Sequence, residues 1–356
     1  MKSWDAIIIG AGIIGLSLAI FLRKQGLRVL VVERGEPGRE ASSAAAGMLV
    51  GSGTEMPPAL QALASESARM YPEFAHELED ESGLKVDLRD QGTILISASG
   101  DFPAGAETLS TEKLHSLEPD LALGANSDSS DQNRYSAAYI TERSVDPRAL
   151  VAATIQAARH RGVDISSGST VEALLISGDR ASGVQTNKTS YSAEIVVNCA
   201  GAWAGSVGPH EFPVCPVKGQ MAAVVAGPAL RHVIRGDEVY LVPRSDGRIV
   251  IGSTLEDAGY NKQTDVNTIQ RLVHGARELV PALASARVHE DWAGLRPGTP
   301  DHLPLLGETL IRGYFVAGGH YRDGILLAPV TAQVMTELIL AKPVSHDLTP
   351  FSPMRF

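Results

Sequence analysis

The chain opens on an apolar run that glycine interrupts at short intervals. Residues 6–10 form a branched apolar run that ends in glycine, which is typical of a strand buried on both faces of a parallel sheet. A turn and a helix to Lys24 are predicted next, ended by Gly26, and residues 27–32 have the pattern of a second buried strand that ends at Glu33. The pattern therefore predicts a strand–helix–strand unit of about thirty residues.

The rest of the chain alternates between helical and extended patterns. Helices are predicted at residues 58–82, 111–117, 146–161, 267–279 and 325–340. Strands are predicted at residues 86–88, 93–97, 193–198, 220–225, 239–242, 248–252 and 313–317. Because strand-rich sequence separates two stretches of α/β character, we predict an α/β fold in which a Rossmann-like domain carries an inserted, mainly antiparallel β domain. The first domain is assigned residues 1–82, 145–205 and 290–356, and the inserted domain is assigned residues 83–144 and 206–289.

The turn after the first strand has the glycine spacing of a dinucleotide-binding site. Gly10 permits a tight turn, Gly12 lets the backbone approach a pyrophosphate, and Gly15 packs the helix against the strand. The start of the helix offers unpaired N–H groups to the phosphates. Glu33 follows at the distance expected for an acid that accepts hydrogen bonds from a ribose hydroxyl. The alternative is a tight strand–helix turn without a ligand.

Composition and charge narrow the function classes. The 356 residues exceed the usual size of a single core, so two domains or one very large domain are expected. The net charge of −10 is spread along the chain without a basic block, which argues against nucleic-acid binding. The two cysteines, Cys199 and Cys215, are too few for a disulfide framework or a four-ligand zinc site. We therefore expect a reduced, cytoplasmic protein without a metal.

The first apolar run also imitates a targeting segment. Residues 6–22 carry no charge and could be taken for a signal peptide or a short membrane span. Three glycines interrupt the run, it is shorter than the roughly 20 residues that a span needs, and Asp5 precedes it where cations belong. The dinucleotide-binding unit explains the same residues better, and no membrane association is expected.

Several segments together carry a resemblance that extends over nearly the whole chain. They read IIIGAGIIGLSLA, SSAAAGM, YLVPRSDGRIVIGST, WAGLRPGTPDHLPLLG and GGHYRDGILLAP, with Glu33 at the end of the second strand. In these segments the chain resembles the glycine oxidases of the D-amino acid oxidase family of FAD-dependent oxidoreductases, which are associated with thiamin biosynthesis. The glycine turn is shared by many families, whereas WAGLRPGTPD and GHYRDGILLAP are far more specific.

The resemblance implies a discontinuous FAD-binding domain and a substrate-binding domain whose antiparallel sheet faces the flavin. It also implies that FAD is bound without a covalent bond, which agrees with the absence of a cysteine near the C-terminal flavin segment. The FAD-contacting positions that it implies are Gly10, Gly12, Ile13, Ile14, Gly15, Glu33, Arg34, Ala41, Ser42, Ala46, Gly47, Met48, Val171, His320, Tyr321, Arg322, Asp323, Gly324, Ile325 and Leu326.

Three further positions are implied to hold the carboxylate of the substrate, namely Arg296, Tyr240 and Arg322. An arginine suits this role because its planar fork binds a carboxylate through two parallel hydrogen bonds. A surface salt bridge for Arg296, core packing for Tyr240 and an ion pair for Arg322 remain open as alternatives. We expect the backbone around Arg296 to be tightly turned, since glycine and proline flank it, and we expect Leu255 and Glu238 on the substrate side of the pocket.

The C-terminal glycine-rich turn is expected to lead directly into the last helix. A helix that begins after Gly324 would present N–H donors and a partial positive charge to the C2 carbonyl of the flavin. Asp323 stands where many members of the family have asparagine, so it either brings a negative charge near the flavin or caps this helix. His320 is interpreted as a cofactor contact, because hydride transfer from a neutral amine needs no general base.

The resemblance implies oxidation of glycine, sarcosine and small D-amino acids by hydride transfer from Cα to flavin N5. The expected products are an imino acid and, from O₂, hydrogen peroxide. A D-amino acid dehydrogenase with another electron acceptor, a nicotinamide-dependent dehydrogenase and a non-catalytic pathway subunit remain alternatives. The expected partners are a small amino acid and O₂, other copies of the chain in a homo-oligomer, and a thiazole-forming enzyme of thiamin synthesis.

Overall fold

The computed structural model describes residues 4–51, 56–122, 135–209, 211–225, 227 and 229–356. In chain order the strands are β1 (Ala6–Ile9), β2 (Val29–Val32), β3 (Met48–Leu49), β4 (Leu88–Arg89), β5 (Thr93–Ser97), β6 (Glu107–Thr108), β7 (Ser136–Ile140), β8 (Arg143–Val145), β9 (Asp164–Ser166), β10 (Val171–Ser177), β11 (Arg180–Thr186), β12 (Ser190–Ser192), β13 (Ile195–Asn198), β14 (Cys215–Val225), β15 (Val233–Arg235), β16 (Tyr240–Pro243), β17 (Ile249–Gly252), β18 (Arg287–Gly298), β19 (Leu305–Glu308) and β20 (Tyr314–Gly318). The helices are α1 (Ile13–Lys24), α2 (Ala41–Ala44), α3 (Gln61–Ser82), α4 (Thr111–Leu117), α5 (Pro147–His160), α6 (Val266–Leu279) and α7 (Ala328–Ile339).

The first sheet has the strand order β19-β20-β13-β1-β2-β9. Its strands run parallel except for β19, which pairs antiparallel with β20 at one edge. The apolar run of β1 is fully buried because α1, α3, α5 and α7 pack together on one face of the sheet and a second apolar cluster covers the other. This is the doubly covered, mainly parallel sheet that the opening pattern predicts.

The second sheet is larger and mainly antiparallel. Its order is β18-β14-β17-β16-β15-β5-β7-β6, and among the described strands only β15 and β5 pair in parallel. One face packs on α6 through an apolar cluster that includes Ile234, Leu241 and Ile251. The opposite face packs on the segment before β3 through Met221 and Val242. Alternate residues of each strand therefore point either to the α6 core or to the first domain.

Two small sheets complete the structure. The first, β10-β11-β12, lies beside the mainly parallel sheet, and the second, β3-β8-β4, lies where the two large sheets meet. Among the described residues, no helix is both long enough and apolar enough to cross a membrane.

The predicted fold class is confirmed, and two local predictions are wrong. Arg296 does not lie in tightly turned backbone, because it belongs to β18, which pairs antiparallel with β14 in continuous register from Glu290 to Gly298. The last helix does not begin after Gly324, because residues 324–327 form a turn and α7 begins at Ala328.

The division of the chain into domains stays a prediction. The two large sheets divide the chain at similar places, except that β18 belongs to the antiparallel sheet and runs across the predicted boundary at residue 290. The parts of the predicted domains at residues 1–3, 52–55, 123–134, 210, 226 and 228 lie outside the described residues.

Candidate active site

The glycine turn after β1 is shaped by contacts that leave no room for side chains. Gly10 has a φ of +105°, and a Cβ there would lie 2.4 Å from the carbonyl oxygen of Cys199. A Cβ on Gly15 would lie 2.1 Å from the carbonyl oxygen of Gly10, so α1 packs directly on the turn. Both positions require glycine, the first for conformation and space and the second for space alone.

The N-terminus of α1 fits a diphosphate. Gly12 is the N-cap residue and supplies no side-chain hydrogen bond, and the first turn carries no acidic residue. The N–H of Ile13 donates to the hydroxyl of Ser42 at 2.9 Å, which brings residues 41–42 to the same place. The remaining N–H groups of the first turn and the neighbouring hydroxyl form the kind of arrangement that binds phosphate groups.

Glu33 lies at the end of β2, as predicted, and is buried. Its carboxylate accepts hydrogen bonds from the N–H groups of Ala11 and Gly35, each at 2.8 Å. These two bonds leave further lone pairs for a ribose hydroxyl. The carbonyl oxygen of Glu33 accepts from the N–H of Ser169, which places Val171 at the start of β10 near the same end of the site.

The residue after Glu33 makes a different kind of contact. The Arg34 guanidinium lies over the ring of Trp203, with 3.4 Å from Cζ to the ring centroid, and it pairs with Glu40 at 3.0 Å. Trp203 in turn stacks on Tyr260, with ring centroids 5.2 Å apart. Arg34 is therefore held at the edge of the predicted adenosine site by an aromatic stack.

Residues 41–48 lie between the two large sheets. Gly47 has a φ of +78°, and a Cβ there would lie 2.0 Å from the carbonyl oxygen of Val145. The buried guanidinium of Arg244 donates to the carbonyl oxygens of Ala46 at 2.6 Å and Val145 at 3.2 Å. Met48 packs in the apolar cluster that also contains Tyr240. The small residues of this segment thus allow the first domain to lie against the antiparallel sheet.

The C-terminal turn lies beside the end of β18. The N–H of Tyr321 donates to the carbonyl oxygen of Pro297 at 2.9 Å, which ties the turn to the end of β18. His320 is buried, its Nε2 lies 3.1 Å from the hydroxyl of Thr331, and burial lowers its pKa to about 3. The imidazole is therefore neutral at physiological pH.

Asp323 does not cap the last helix. The N-cap residue of α7 is Leu327, and no side chain caps its N–H groups. Burial raises the pKa of the Asp323 carboxyl to about 6, and the Arg322 guanidinium opposes this shift. Ile325 and Leu326 have buried side chains, and their carbonyl oxygens accept from Tyr71 and Ser67, so this turn is bonded to α3.

The structure brings Arg296 together with the two other residues predicted to bind the substrate. Burial lowers the pKa of the Arg296 guanidinium, an effect that Tyr240 opposes and Arg322 reinforces. The guanidinium donates from Nη2 to the hydroxyl of Ser253 at 2.7 Å and from Nη1 to the carbonyl oxygen of Thr254 at 3.1 Å. These contacts rule out a simple surface salt bridge for Arg296.

Glycines on the strands make the space that this cluster occupies. A Cβ on Gly219 would lie 2.2 Å from Nη1 of Arg296, and a Cβ on Gly252 would lie 2.6 Å from the hydroxyl oxygen of Tyr240. The tyrosine ring therefore lies across β17 on the face that meets the first domain, and core packing alone does not account for it. Leu255, expected on the substrate side, is half exposed.

Sequence reasoning missed Ser253, Thr254 and Gly219. Ser253 and Thr254 end the segment YLVPRSDGRIVIGST but were assigned no role, because the distance of 42–43 residues between Arg296 and its acceptors hides the contact. Gly219 belongs to no recognised motif. The missed role of Arg244 has a similar cause, since its acceptors lie about 100 and 200 residues away in the chain.

Comparison with protein-family models identifies the family of the chain. The model described as FAD dependent oxidoreductase (DAO) matches residues 5–338. The chain belongs to this family. It is therefore an FAD-dependent oxidoreductase, and the enzyme class and cofactor predicted from the sequence are confirmed.

Similar proteins of known name agree with this family. The chain is 33% identical to the glycine oxidase of Bacillus licheniformis, over 97% of this chain and 95% of that protein. It is 36% identical to the bifunctional protein ThiO/ThiG of Synechocystis sp., over 99% of this chain but 54% of that protein, so it spans about half the length of the bifunctional relatives. The crystal structure of glycine oxidase from Geobacillus kaustophilus superposes with a TM-score of 0.91 at 31% identity and covers both chains fully.

Proposed function

We propose that the protein oxidises glycine and other small amines, such as sarcosine and small D-amino acids, to imino acids. The observation that carries this proposal is that Arg296 and Tyr240 share the face of the antiparallel sheet that packs on Ala46 and Met48, with Arg322 of the C-terminal turn beside Arg296. Bound FAD supplies the acceptor for the hydride that leaves the substrate Cα and, with O₂, the route to hydrogen peroxide. The similarity to glycine oxidases over nearly the whole chain supports the same substrate class.

Arg296 is the residue that we propose binds the substrate carboxylate. Two of its N–H groups donate to Ser253 and Thr254, which fixes the plane of the guanidinium. Arginine has five N–H donors, so the bonds to Ser253 and Thr254 leave others for Tyr240 and a ligand. Because the group is largely buried, its attraction to a carboxylate is screened less than it would be in water. A fixed plane and a low local dielectric both favour a bidentate carboxylate bond.

Tyr240 and Arg322 complete this proposed carboxylate site. The Tyr240 hydroxyl has the sulfur of Met221 at 4.0 Å as a weak contact, which leaves it able to donate to a carboxylate oxygen. Arg322 adds a second positive charge beside Arg296. His320 is neutral and hydrogen-bonded to Thr331, so we assign it no role as a base. The proposed chemistry rests on positioning, and the amine must reach the site in its neutral form.

We propose that the FAD-contacting positions predicted from the sequence hold the cofactor without a covalent bond. The contacts of these segments support this, because hydrogen bonds join the glycine turn to Glu33 and Ser42, and a further hydrogen bond joins the C-terminal turn to the end of β18. The fused relatives named ThiO/ThiG support a link to a thiazole-forming partner that receives the imino acid, in thiamin synthesis. The homo-oligomer and the cytoplasmic location stay predictions.

The first test replaces Arg296. With Arg296→Ala, the KM for glycine is expected to rise roughly thirtyfold or more, because loss of one partner of a buried charge pair costs about 2–5 kcal/mol. Arg296→Lys restores the positive charge without the planar guanidinium and should recover part of the affinity for glycine. FAD content, measured from the flavin absorbance, should stay near that of the wild type. Arg312→Ala, at an exposed arginine paired with Asp179, is the control.

An unchanged KM for glycine in Arg296→Ala would show that Arg296 does not bind the carboxylate. An amine without a carboxylate is a second control, since its poor oxidation should be insensitive to the substitution.

An oxygen electrode with glycine, sarcosine and D-alanine tests the electron acceptor. Flavin reduction without oxygen consumption would replace the oxidase proposal with a dehydrogenase.

A further inference from the structure

One segment joins the proposed substrate site to the proposed adenosine end of the FAD site. Residues 253–263, here called the strap, leave β17 and run to the N-terminus of α6. The strap is anchored at two places. Its first residues lie under the Arg296 guanidinium, and its later residues lie on Trp203 and Glu40 of the first domain.

The first anchor fixes the acceptors of Arg296. Ser253 and Thr254 accept from the guanidinium, and the Thr254 hydroxyl also accepts from the N–H of Gln220 at 2.9 Å. Two residues later, Glu256 and Lys218 exchange backbone hydrogen bonds of 3.0 Å in each direction. The start of the strap therefore behaves as a short additional strand beside β14.

Buried polar side chains strengthen this anchor. The Glu256 carboxylate accepts from the amide of Gln220 at 2.8 Å and lies 3.4 Å from Nζ of Lys218. Lys218 also donates to the carbonyl oxygen of Gln263 at 2.6 Å, and Gln220 accepts from the N–H of Asp265 at 2.7 Å. Lys218 and Gln220 are 5% and 2% exposed, so the β14 side of these bonds is shielded from water, whereas Glu256, Gln263 and Asp265 are partly or fully exposed. Both ends of the strap are thus held to β14.

The second anchor reaches the cofactor side. The Tyr260 ring stacks on Trp203 with an interplanar angle of 25°, and its hydroxyl donates to the carbonyl oxygen of Ala202 at 3.1 Å. Arg34 covers the Trp203 ring, and Glu40 pairs with both Arg34 and Lys262 at 3.0 Å. Arg34 directly follows Glu33, the proposed ribose acceptor. An adenosine bound at Glu33 would therefore lie next to Arg34, which stacks on Trp203 and through it on Tyr260.

We propose that the strap couples the two sites, with Tyr260 as the positioning residue at the cofactor end. FAD orders Arg34 and Trp203, the stack holds Tyr260, and the strap then presents Ser253 and Thr254 to the Arg296 guanidinium in the geometry that receives a carboxylate. The coupling is reciprocal, because any factor by which FAD raises carboxylate affinity must also appear as carboxylate-dependent retention of FAD. This inference rests on the proposed carboxylate role of Arg296.

The test measures the release of FAD from the holoenzyme with and without glycolate, which carries the carboxylate of glycine without its amine. After dilution, free FAD is followed by its fluorescence. In the wild type, glycolate should slow release. In Tyr260→Ala, release should be roughly twofold to tenfold faster, as expected for loss of one aromatic stack. The factor by which glycolate slows release should also fall towards one.

Two variants separate coupling from simple loss of stability. Tyr260→Phe keeps the stack and loses only the bond to Ala202, so it should retain most of the glycolate effect. Phe356→Ala removes an aromatic ring that is also half exposed and covered by an arginine, Arg355, but lies outside the strap, and it should behave as the wild type. If Tyr260→Ala does not fold, Tyr260→Leu tests the same loss of stacking with the apolar cover retained.

The outcomes distinguish this inference from the proposed function. If glycolate perturbs the flavin spectrum through Arg296, yet slows FAD release by the same factor in Tyr260→Ala and the wild type, the ligand acts by direct contact and the strap does not couple the sites. If glycolate leaves the spectrum and FAD release unchanged in the wild type, both the carboxylate site and the coupling are wrong.

Discussion

At the scale of single residues, two buried ionisable side chains differ in whether they have hydrogen-bond partners. Arg296 is buried with two hydrogen-bond acceptors, whereas both carboxylate oxygens of Glu142 are buried without a hydrogen-bond partner among the described residues. The nearest cation to Glu142 is Arg235, with 3.7 Å between Nη1 and Oε2. Burial raises the pKa of the Glu142 carboxyl, and the nearby charge of Arg235 opposes the shift without cancelling it.

The buried carboxylate should make the protein less stable as the pH rises. A carboxyl whose pKa is higher in the folded state binds its proton more tightly there, so its contribution to the free energy of unfolding is complete below the ordinary glutamate pKa and is lost as the pH rises through the raised value. Glu142→Gln should therefore raise the melting temperature at neutral pH and flatten its decline as the pH rises above the ordinary glutamate pKa. A decline as steep as in the wild type would show that Glu142 does not titrate in this range.

Glu33 is the residue where a substitution should separate cofactor binding from folding. Removal of a charged acceptor to a ribose hydroxyl costs about 1.5–3 kcal/mol, so Glu33→Ala should weaken FAD binding roughly tenfold to a hundredfold. The same carboxylate holds the N–H groups of Ala11 and Gly35, and Glu33→Gln keeps one neutral acceptor for them. We expect the glutamine variant to bind FAD with intermediate affinity in a titration of the apoprotein. Equal affinity in all three proteins would place the ribose elsewhere.

At the scale of elements, two glycines that face each other across β14 and β18 should have different effects. Gly219 and Gly294 are directly paired, but a Cβ on Gly219 meets the Arg296 guanidinium at 2.2 Å and a Cβ on Gly294 meets Cβ of Ala44 at 2.5 Å. Gly219→Ala should raise the KM for glycine with FAD content unchanged, because a flexible side chain gives way. Gly294→Ala should instead lower FAD content, because α2 must move.

These two variants are controls for each other, since each adds one methyl group to the same cross-strand pair of β14 and β18. Steady-state kinetics and the ratio of flavin to protein absorbance measure both properties on the same samples. Loss of FAD in both variants, with no separate effect on the KM for glycine, would mean that both glycines affect FAD binding only through the packing of the sheet.

The elements also show which parts of the structure the sequence determines locally. The strand–helix–strand unit is predictable because its apolar run, glycines and terminal acid all lie within residues 6–33. The N-cap Asp146 followed by Pro147 predicts the start of α5 for the same reason. The strand β18 was missed because glycine and proline near Arg296 suggest a turn, whereas pairing with β14 holds that segment extended. Tertiary pairing overrides local preference there.

At the scale of the whole molecule, the two large sheets are joined by buried and half-buried arginines. Arg244 bonds two carbonyl oxygens of the first domain, Arg248 pairs with Asp146 at 2.9 Å, and Arg148 pairs with Glu290 at 2.7 Å. Burial lowers the pKa of Arg244 to about 10, so it keeps its charge at neutral pH. The family resemblance predicts two domains, but only the structure shows which charges join them.

Arg244→Met should loosen this junction. The substitution leaves the carbonyl oxygens of Ala46 and Val145 buried without a donor, and each unsatisfied acceptor costs about 1–3 kcal/mol. Calorimetry should show a lower melting temperature and a transition that broadens or divides, because the sheets lose a shared contact. The exposed Arg287 supplies the control variant Arg287→Ala. If Arg244→Met unfolds with the melting temperature and transition width of the wild type, Arg244 does not hold the two sheets together.

The burial of Cys199 beside the glycine turn has a practical consequence for measurement. Burial raises the pKa of its thiol far above neutrality, while Cys215 is exposed at the start of β14. A maleimide reacts with thiolate, so the folded chain should accept one label at Cys215, and two only after unfolding. A dye at that position lies on the same strand as Lys218 and Gln220. It would give a fluorescence reporter of the antiparallel sheet without any engineered cysteine.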